Sequence, residues 1–169
     1  MRNWVFFFCI CLIIGCTGND VNKDKYNVGE IPFDPIKDDR NFKLCNENQI
    51  KQYYARNTPD NPAGYKGEKI ALITHFANEC KLPKMKGQDG YLTFRFIVNC
   101  EGEMGRYRVD EMDLDYQPKQ FNKQIVFTLH AAIKKLDGWI PVNYKGKDYD
   151  FYQYLTFKLV DGRLKEIMP

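Results

Sequence analysis

The sequence predicts an α+β fold: a small antiparallel sheet built in the order strand, strand, helix, strand, with a hairpin strand closing the C-terminus. Three observations carry this. Two stretches alternate apolar and polar residues with the period of a strand, Leu92-Phe94-Phe96-Val98 and Phe151-Gln153-Leu155-Phe157-Leu159. Between them, Phe121, Ile125, Leu129, Ala132 and Leu136 recur at helical spacing. Finally, Glu101-Gly102 and Asp161-Gly162 sit where tight turns would fold one strand back on another.

Taken in order, the chain opens on Met1-Arg2 and an apolar run from Trp4 to Ile14. A membrane-spanning helix needs about 20 apolar residues. This run is shorter, and it reads as an export signal covering residues 1–15. Ile13-Ile14-Gly15-Cys16 resembles the bacterial lipobox, in which the small residue before cysteine permits cleavage and the cysteine sulfur takes a lipid. The expectation is therefore a lipid on Cys16 and a membrane partner through that lipid. Loss of Arg2 with the signal lowers the net charge from +3 to +2. A chain this close to neutral offers no electrostatic case for a nucleic-acid partner. Residues 16–41 are polar, with few large apolar side chains, and are expected to be a flexible tether with a span of about 25 to 30 Å. Residues 42–169 are left as one folded domain.

Asn46 caps a short helix to about Ala55, with Gln49 three residues on. "NTPDNPAGYKGE" breaks it. A second helix is predicted from Lys69 to Cys80, with Ile70, Ile73, Ala77 and Cys80 as its apolar face. The strand Tyr91–Asn99 follows. If Glu101-Gly102 is a two-residue turn, Cys100 pairs with Glu103, Phe96 with Tyr107 and Phe94 with Val109. A helix from Pro118 to Leu136 comes next, with proline suited to its first position. His130 is expected half-buried within it. "DGWIPVNYKGKDYD" is a turn-rich connector in which Trp139 lids the core. The strand Asp150–Leu159 turns at Asp161-Gly162 into a last short strand, Arg163 to Ile167.

Six cysteines are present, of which Cys9 and Cys11 leave with the signal and Cys16 carries lipid. Cys45, Cys80 and Cys100 remain in an oxidising compartment, enough for one bridge and one thiol. We favour Cys45 with Cys100, because both lie at element ends while Cys80 lies on a helix face and reads as a small buried hydrophobe.

The hairpin register poses a functional question. It sets Arg95 opposite Arg108, Ile97 beside Arg106 and Thr93 beside Asp110. Like charges directly opposite destabilise a strand pair, so something acidic must answer them. Asp110 and the "EMDLD" carboxylates would do so internally; a partner's carboxylate is the functional reading. Arg95, Arg106 and Arg108, with Tyr152, Tyr154 and Lys158 on the same strand face, are the candidate partner-binding residues. Tyrosine and arginine are enriched at interfaces.

From about Lys69 to Leu159 the order of elements resembles the TonB carboxy-terminal domain family. "GYLTFRFIVNCEGEMGRYRV", the Phe121 to Leu136 helix, "GWIPVNYKGKDYD" with Trp139 and Pro141, and "YLTFKL" carry the resemblance. It implies an antiparallel sheet with helices packed on one face. In energy-transducing members it also implies a last-strand edge that recruits an extended segment of an outer-membrane transporter. Departures matter here: the chain has neither the inner-membrane helix nor the long proline-rich spacer of those members, so direct energy transduction is not expected. Arg163 to Ile167, if paired, would also close the family's docking edge.

No Gly-x-Ser-x-Gly elbow, His-Glu-x-x-His, phosphate loop or paired Cys-x-x-Cys occurs, and the chain holds two histidines, His75 and His130. Catalytic residues, metal ligands and a cofactor are therefore not expected. The reading is a non-catalytic, lipid-anchored envelope protein at the outer membrane, facing the periplasm. It would bind a protein or extended peptide, such as a component of TonB-dependent transport. The alternatives are a self-associating structural lipoprotein, whose partner is a second copy, and an enzyme of unrecognised type.

Overall fold

A computed structural model describes residues 29–52, 57–58, 61–62 and 64–168. The expected signal peptide, the lipid site Cys16, the tether as far as residue 28 and the end of the first predicted helix lie outside the described residues. No described helix is long and apolar enough to cross a membrane.

The fold is α+β. In chain order, β1 (Asn57–Thr58) pairs with β2 (Asn61–Pro62), and β3 (Gly64–Tyr65) leads into α1 (Glu68–Glu79). β4 (Gly90–Val98) and β5 (Met104–Met112) form the first hairpin, and α2 (Lys123–Ile133) follows. β6 (Trp139–Ile140) pairs with β3, and β7 (Val142–Tyr144) with β8 (Lys147–Tyr149). β9 (Phe151–Val160) and β10 (Arg163–Met168) complete a four-stranded antiparallel sheet in the order β10-β9-β4-β5.

Period-two alternation sorts the sheet's faces. Leu92, Phe94, Phe96 and Val98 of β4, with Phe151, Leu155, Phe157 and Leu159 of β9, form one core cluster with Ile125, Leu129, Ala132 and Ile133 of α2 and Leu72 and Phe76 of α1. Both helices thus cover one face. The predicted stripe of α2 is buried at every position, Phe121 and Leu136 included. Its helix starts later than expected. Asn122 caps it by accepting the Gln124 N–H at 2.9 Å, and Pro118 instead bridges to Met112 at the end of β5.

Four local expectations are corrected. In α1 the buried residues are Leu72 and Phe76, one turn apart, and Cys80 packs against the core as expected, while Ile70 and Ile73 are exposed, so the apolar face is rotated about the helix axis from the predicted one. The helix predicted from Asn46 is one 3-10 turn, Glu47–Gln49, because Ile50 is extended and Lys51 bridges in parallel to Phe151. The first hairpin turns through Asn99–Gly102, with Gly102 N–H donating to the Asn99 carbonyl at 3.0 Å and Asn99 N–H to the Glu103 carbonyl at 2.8 Å. Asn99 Oδ1 accepts from Glu101 and Glu103, which places Cys100 in the turn and not opposite Glu103. The register also shifts by one: Phe94 faces Val109 and Arg95 faces Arg108 as predicted, but Ile97 faces Gly105 and Val98 faces Met104. Arg106 and Tyr107 therefore oppose Phe96 together, a bulge with Arg106 at φ +53°.

The last hairpin matches its prediction. Asp161 and Gly162 both have positive φ, as a two-residue turn of the hairpin type requires, and Arg163 pairs with Val160.

A further correction concerns residues 29–41, expected as tether. Ile31 is 2% exposed and Asp38 8%. With residues 42–51 they form a strap against the second face of the sheet. Phe42 packs so closely on Gly105 that a Cβ there would lie 2.3 Å from its ring. On the face away from the helices, Ile97 is fully buried.

Candidate functional site: the arginine face and the groove beside β5

The sheet brings the predicted binding residues onto one face. Arg95 stands between Arg108 and Tyr154, Tyr152 beside Ile97, and Lys158 beside Tyr91. Their charges are answered within the chain. Arg95 Nε meets Asp110 at 2.7 Å, the internal partner that the sequence offers. Arg108 makes a fork onto Asp38, with Nη1 at 2.7 Å from Oδ1 and Nη2 at 2.9 Å from Oδ2, and also donates to the carbonyls of Pro32 and Tyr107. Arg106, 91% buried by its 9% exposure, pairs with Glu47 and lies 5.4 Å from the ring centre of Phe33.

Asp38 and Glu47 are the residues that sequence reasoning missed. They belong to the strap, 70 and 59 residues from their arginines. Burial pushes the Asp38 carboxyl up, but the Arg108 fork and the Asp34 N–H pull it further down, so it lies below the usual carboxylate value. The Asp38 fork in turn raises Arg108, against burial. Tyr152 is raised by burial and by Glu30, opposed by a hydrogen bond from the Ile31 backbone. Of the six candidates, Arg106, Arg108 and Tyr152 hold the strap, and Arg95 holds Asp110. Lys158 Nζ lies 5.8 Å from the Tyr91 ring centre, and Tyr154 is 40% exposed.

The strap is also fixed covalently. Cys45 and Cys100 are bonded, as favoured from the sequence, and Cys80 is the free thiol of the described residues. Burial pushes the Cys80 thiol up to about 11, which favours its protonated form. Asp150, 1% exposed, accepts N–H bonds from Cys45 (3.1 Å), Asn46 (2.7 Å) and Cys100 (2.9 Å). One carboxylate so clamps both ends of the bridge. Its oxygen and the two sulfurs lie within 4.8 Å of one another, but sulfurs bonded to each other offer no thiolates for a metal.

Compared with protein-family models, curated proteins and solved structures, the chain matches none.

The sheet ends on β10 at one side and β5 at the other. β10 pairs with β9 from Val160 to Thr156, so that half of the last-strand edge is occupied. Beside β5 runs a groove of about 880 Å³, between residues 37–42 of the strap and His130 of α2 with Lys134 at its C-terminal end. His130 is held by rings, Tyr107 at 4.7 Å and Phe94 at 5.9 Å. Its Nε2 is buried without a partner, and burial, with Lys134 adding, lowers its pKa.

The main chain of β5 is open only in part. Lys119 N–H donates to the Glu111 carbonyl at 3.1 Å from outside the sheet, and Asp113 N–H to Gln117 at 2.9 Å. In an antiparallel ladder the N–H and C=O of one residue point the same way, and alternate residues point oppositely. Glu111 thus points outward, and so does Val109. No described residue outside the sheet bonds the Val109 N–H or C=O.

Proposed function

We propose that this protein is a non-catalytic, lipid-anchored envelope protein whose folded domain binds a protein or extended peptide partner in the groove beside β5. The groove carries the reading: it is lined by both aromatic and charged side chains, and bordered by a strand whose Val109 main-chain groups are open. The cell-envelope location rests on the lipobox-like Ile13-Ile14-Gly15-Cys16 and on the use of a disulfide, which persists in oxidising compartments. The resemblance to the TonB carboxy-terminal family points toward a transport-linked partner, without energy transduction. The site differs from that family's, because β10 covers the Thr156–Val160 half of the corresponding edge.

Selection of a displayed heptapeptide library on the full chain, followed by amide-shift mapping, tests the binding. Shifts should cluster at Tyr107, Val109, His130 and Lys134. Selected peptides that map elsewhere, or a library that yields none, would overturn the reading. Mass spectrometry of the membrane-extracted protein tests the anchor: a diacylglycerol mass on Cys16 is expected, and its absence removes that part.

A further inference from the structure

Resting on that reading, we infer that the partner is a short extended segment that adds to β5 as a strand, bonded through the Val109 N–H and C=O. Three observations on the same strand lead to this. First, Val109 points its main chain outward into the groove, as the Glu111–Lys119 bond fixes by alternation. Second, both neighbouring stretches of that edge are taken. Pro118 and Lys119 cover Met112 and Glu111 on one side; on the other, the Arg108 guanidinium takes the Tyr107 carbonyl at 2.7 Å, and the bulge at Arg106 twists the strand away. Proteins commonly blunt exposed edges with bulges and charges. Here the blunting stops at Val109 and leaves a window of about one hydrogen-bonded pair. Third, the window is walled on both faces, by the strap and by α2, so a segment entering it is held from above and below.

The geometry also selects the occupant. A residue paired with Val109 puts its side chain on the helix side, over the half-buried rings of Tyr107 and His130. Its neighbours on either side turn toward Lys37, Asp39 and Asn41 of the strap. The segment that fits is polar, apolar, polar, in extended conformation, and the main chain supplies the affinity. A second copy's β5 is a poorer occupant, since its own edge is blunted in the same two places.

Proline at Val109 is the direct test, because it deletes an outward N–H and leaves the bonds to β4 in place. The probe is a capped heptapeptide of alternating threonine and valine with lysine at each end, added to the full chain and to Val109→Pro and Val109→Ala. We expect slowed amide exchange at Val109 in the native chain and affinity within about threefold for Val109→Ala. Val109→Pro should weaken binding about tenfold or more, the equivalent of one hydrogen bond of about 1.4 kcal/mol. Equal affinity of the proline and alanine variants, with shifts still in the groove, would overturn strand addition and leave the groove reading standing. Peptides that map outside the groove would overturn both. A doubled mass at binding concentrations that Val109→Pro abolishes, with no peptide bound, would assign the window to a second copy and overturn the peptide.

Discussion

Arg108 holds both oxygens of Asp38, 70 residues away in sequence, at 2.7 and 2.9 Å. This fork turns an arginine pair that looks like a ligand site into the anchor of a strap. Asp38→Ala should therefore cost about 1.5 to 3 kcal/mol in urea unfolding, the range for hydrogen bonds to a charged group, since Arg108 keeps two carbonyl partners. The pH dependence has a definite sign. The folded carboxyl lies below its ordinary value of 3.8, so its contribution is complete above that value and is lost as pH falls through the folded pKa. Asp38→Asn should flatten that part of the acid-unfolding curve.

The bridge between Cys45 and Cys100 closes a loop with a sequence separation of 55. Chain entropy assigns such a loop about 4 kcal/mol. Replacing both cysteines by serine should lower the urea midpoint accordingly. Asp150→Asn tests the clamp separately: an amide presents one acceptor oxygen where three N–H groups converge, and the variant should lose about 1 to 3 kcal/mol with the disulfide still formed. A variant as stable as the native chain would show that the three bonds are dispensable.

What was legible in the sequence had a period or a turn to announce it. β4 alternates as far as Phe96 and β9 throughout, α2 keeps its stripe through Phe121, Ile125, Leu129, Ala132 and Leu136, and Asp161-Gly162 turns as its residues dictate. The strap had no such signal. Its polar, proline-bearing composition reads as tether, and Ile31, Phe33 and Phe42 bury or pack only because the sheet offers a second apolar patch at Ile97. The bulge was hidden for a related reason, since nothing in an arginine's identity marks a positive φ at position 106. In α1, two apolar sets compete, Ile70 with Ile73 and Leu72 with Phe76, and periodicity alone does not choose. Packing chose the set with the larger ring, which meets Phe157 at 4.8 Å. For the site, the sequence supplied the arginines but not their partners, and nothing in it marked Val109.

His130 gives the fold a second pH response, of the opposite charge type. Its pKa is lowered from 6.5 by burial among Tyr107 and Phe94, with Lys134 adding. Below 6.5 the unfolded chain takes up the proton more readily than the folded one, so stability declines as pH drops and levels off beneath the folded pKa. His130→Phe keeps the ring contacts and removes the proton. Its denaturation midpoint should lack that slope, while the native chain shows it between 6.5 and the lower folded value. An identical slope in both would assign it to another group.

β10 decides whether the sheet stays closed at its other side. Ile167, 4% exposed, is the β10 residue fully inside the core cluster, and Ile167→Ala should cost about 2 to 4 kcal/mol by lost burial and the cavity left behind. Ending the chain at Val160 does more than remove that side chain. The present outer strand carries exposed Arg163, Lys165 and Glu166 and a register shift between Leu164 and Glu166, all features that discourage pairing with another chain. β9 beneath it has Thr156, Phe157, Lys158 and Leu159 in unbroken register, and its bare edge would present one charge along that stretch. The truncated chain should lose amide protection from Thr156 to Leu159 and associate with rising concentration by light scattering. If protection persists without β10 and the chain stays monomeric, α1 and residues 83–88 near Gly162 must shield that edge unaided.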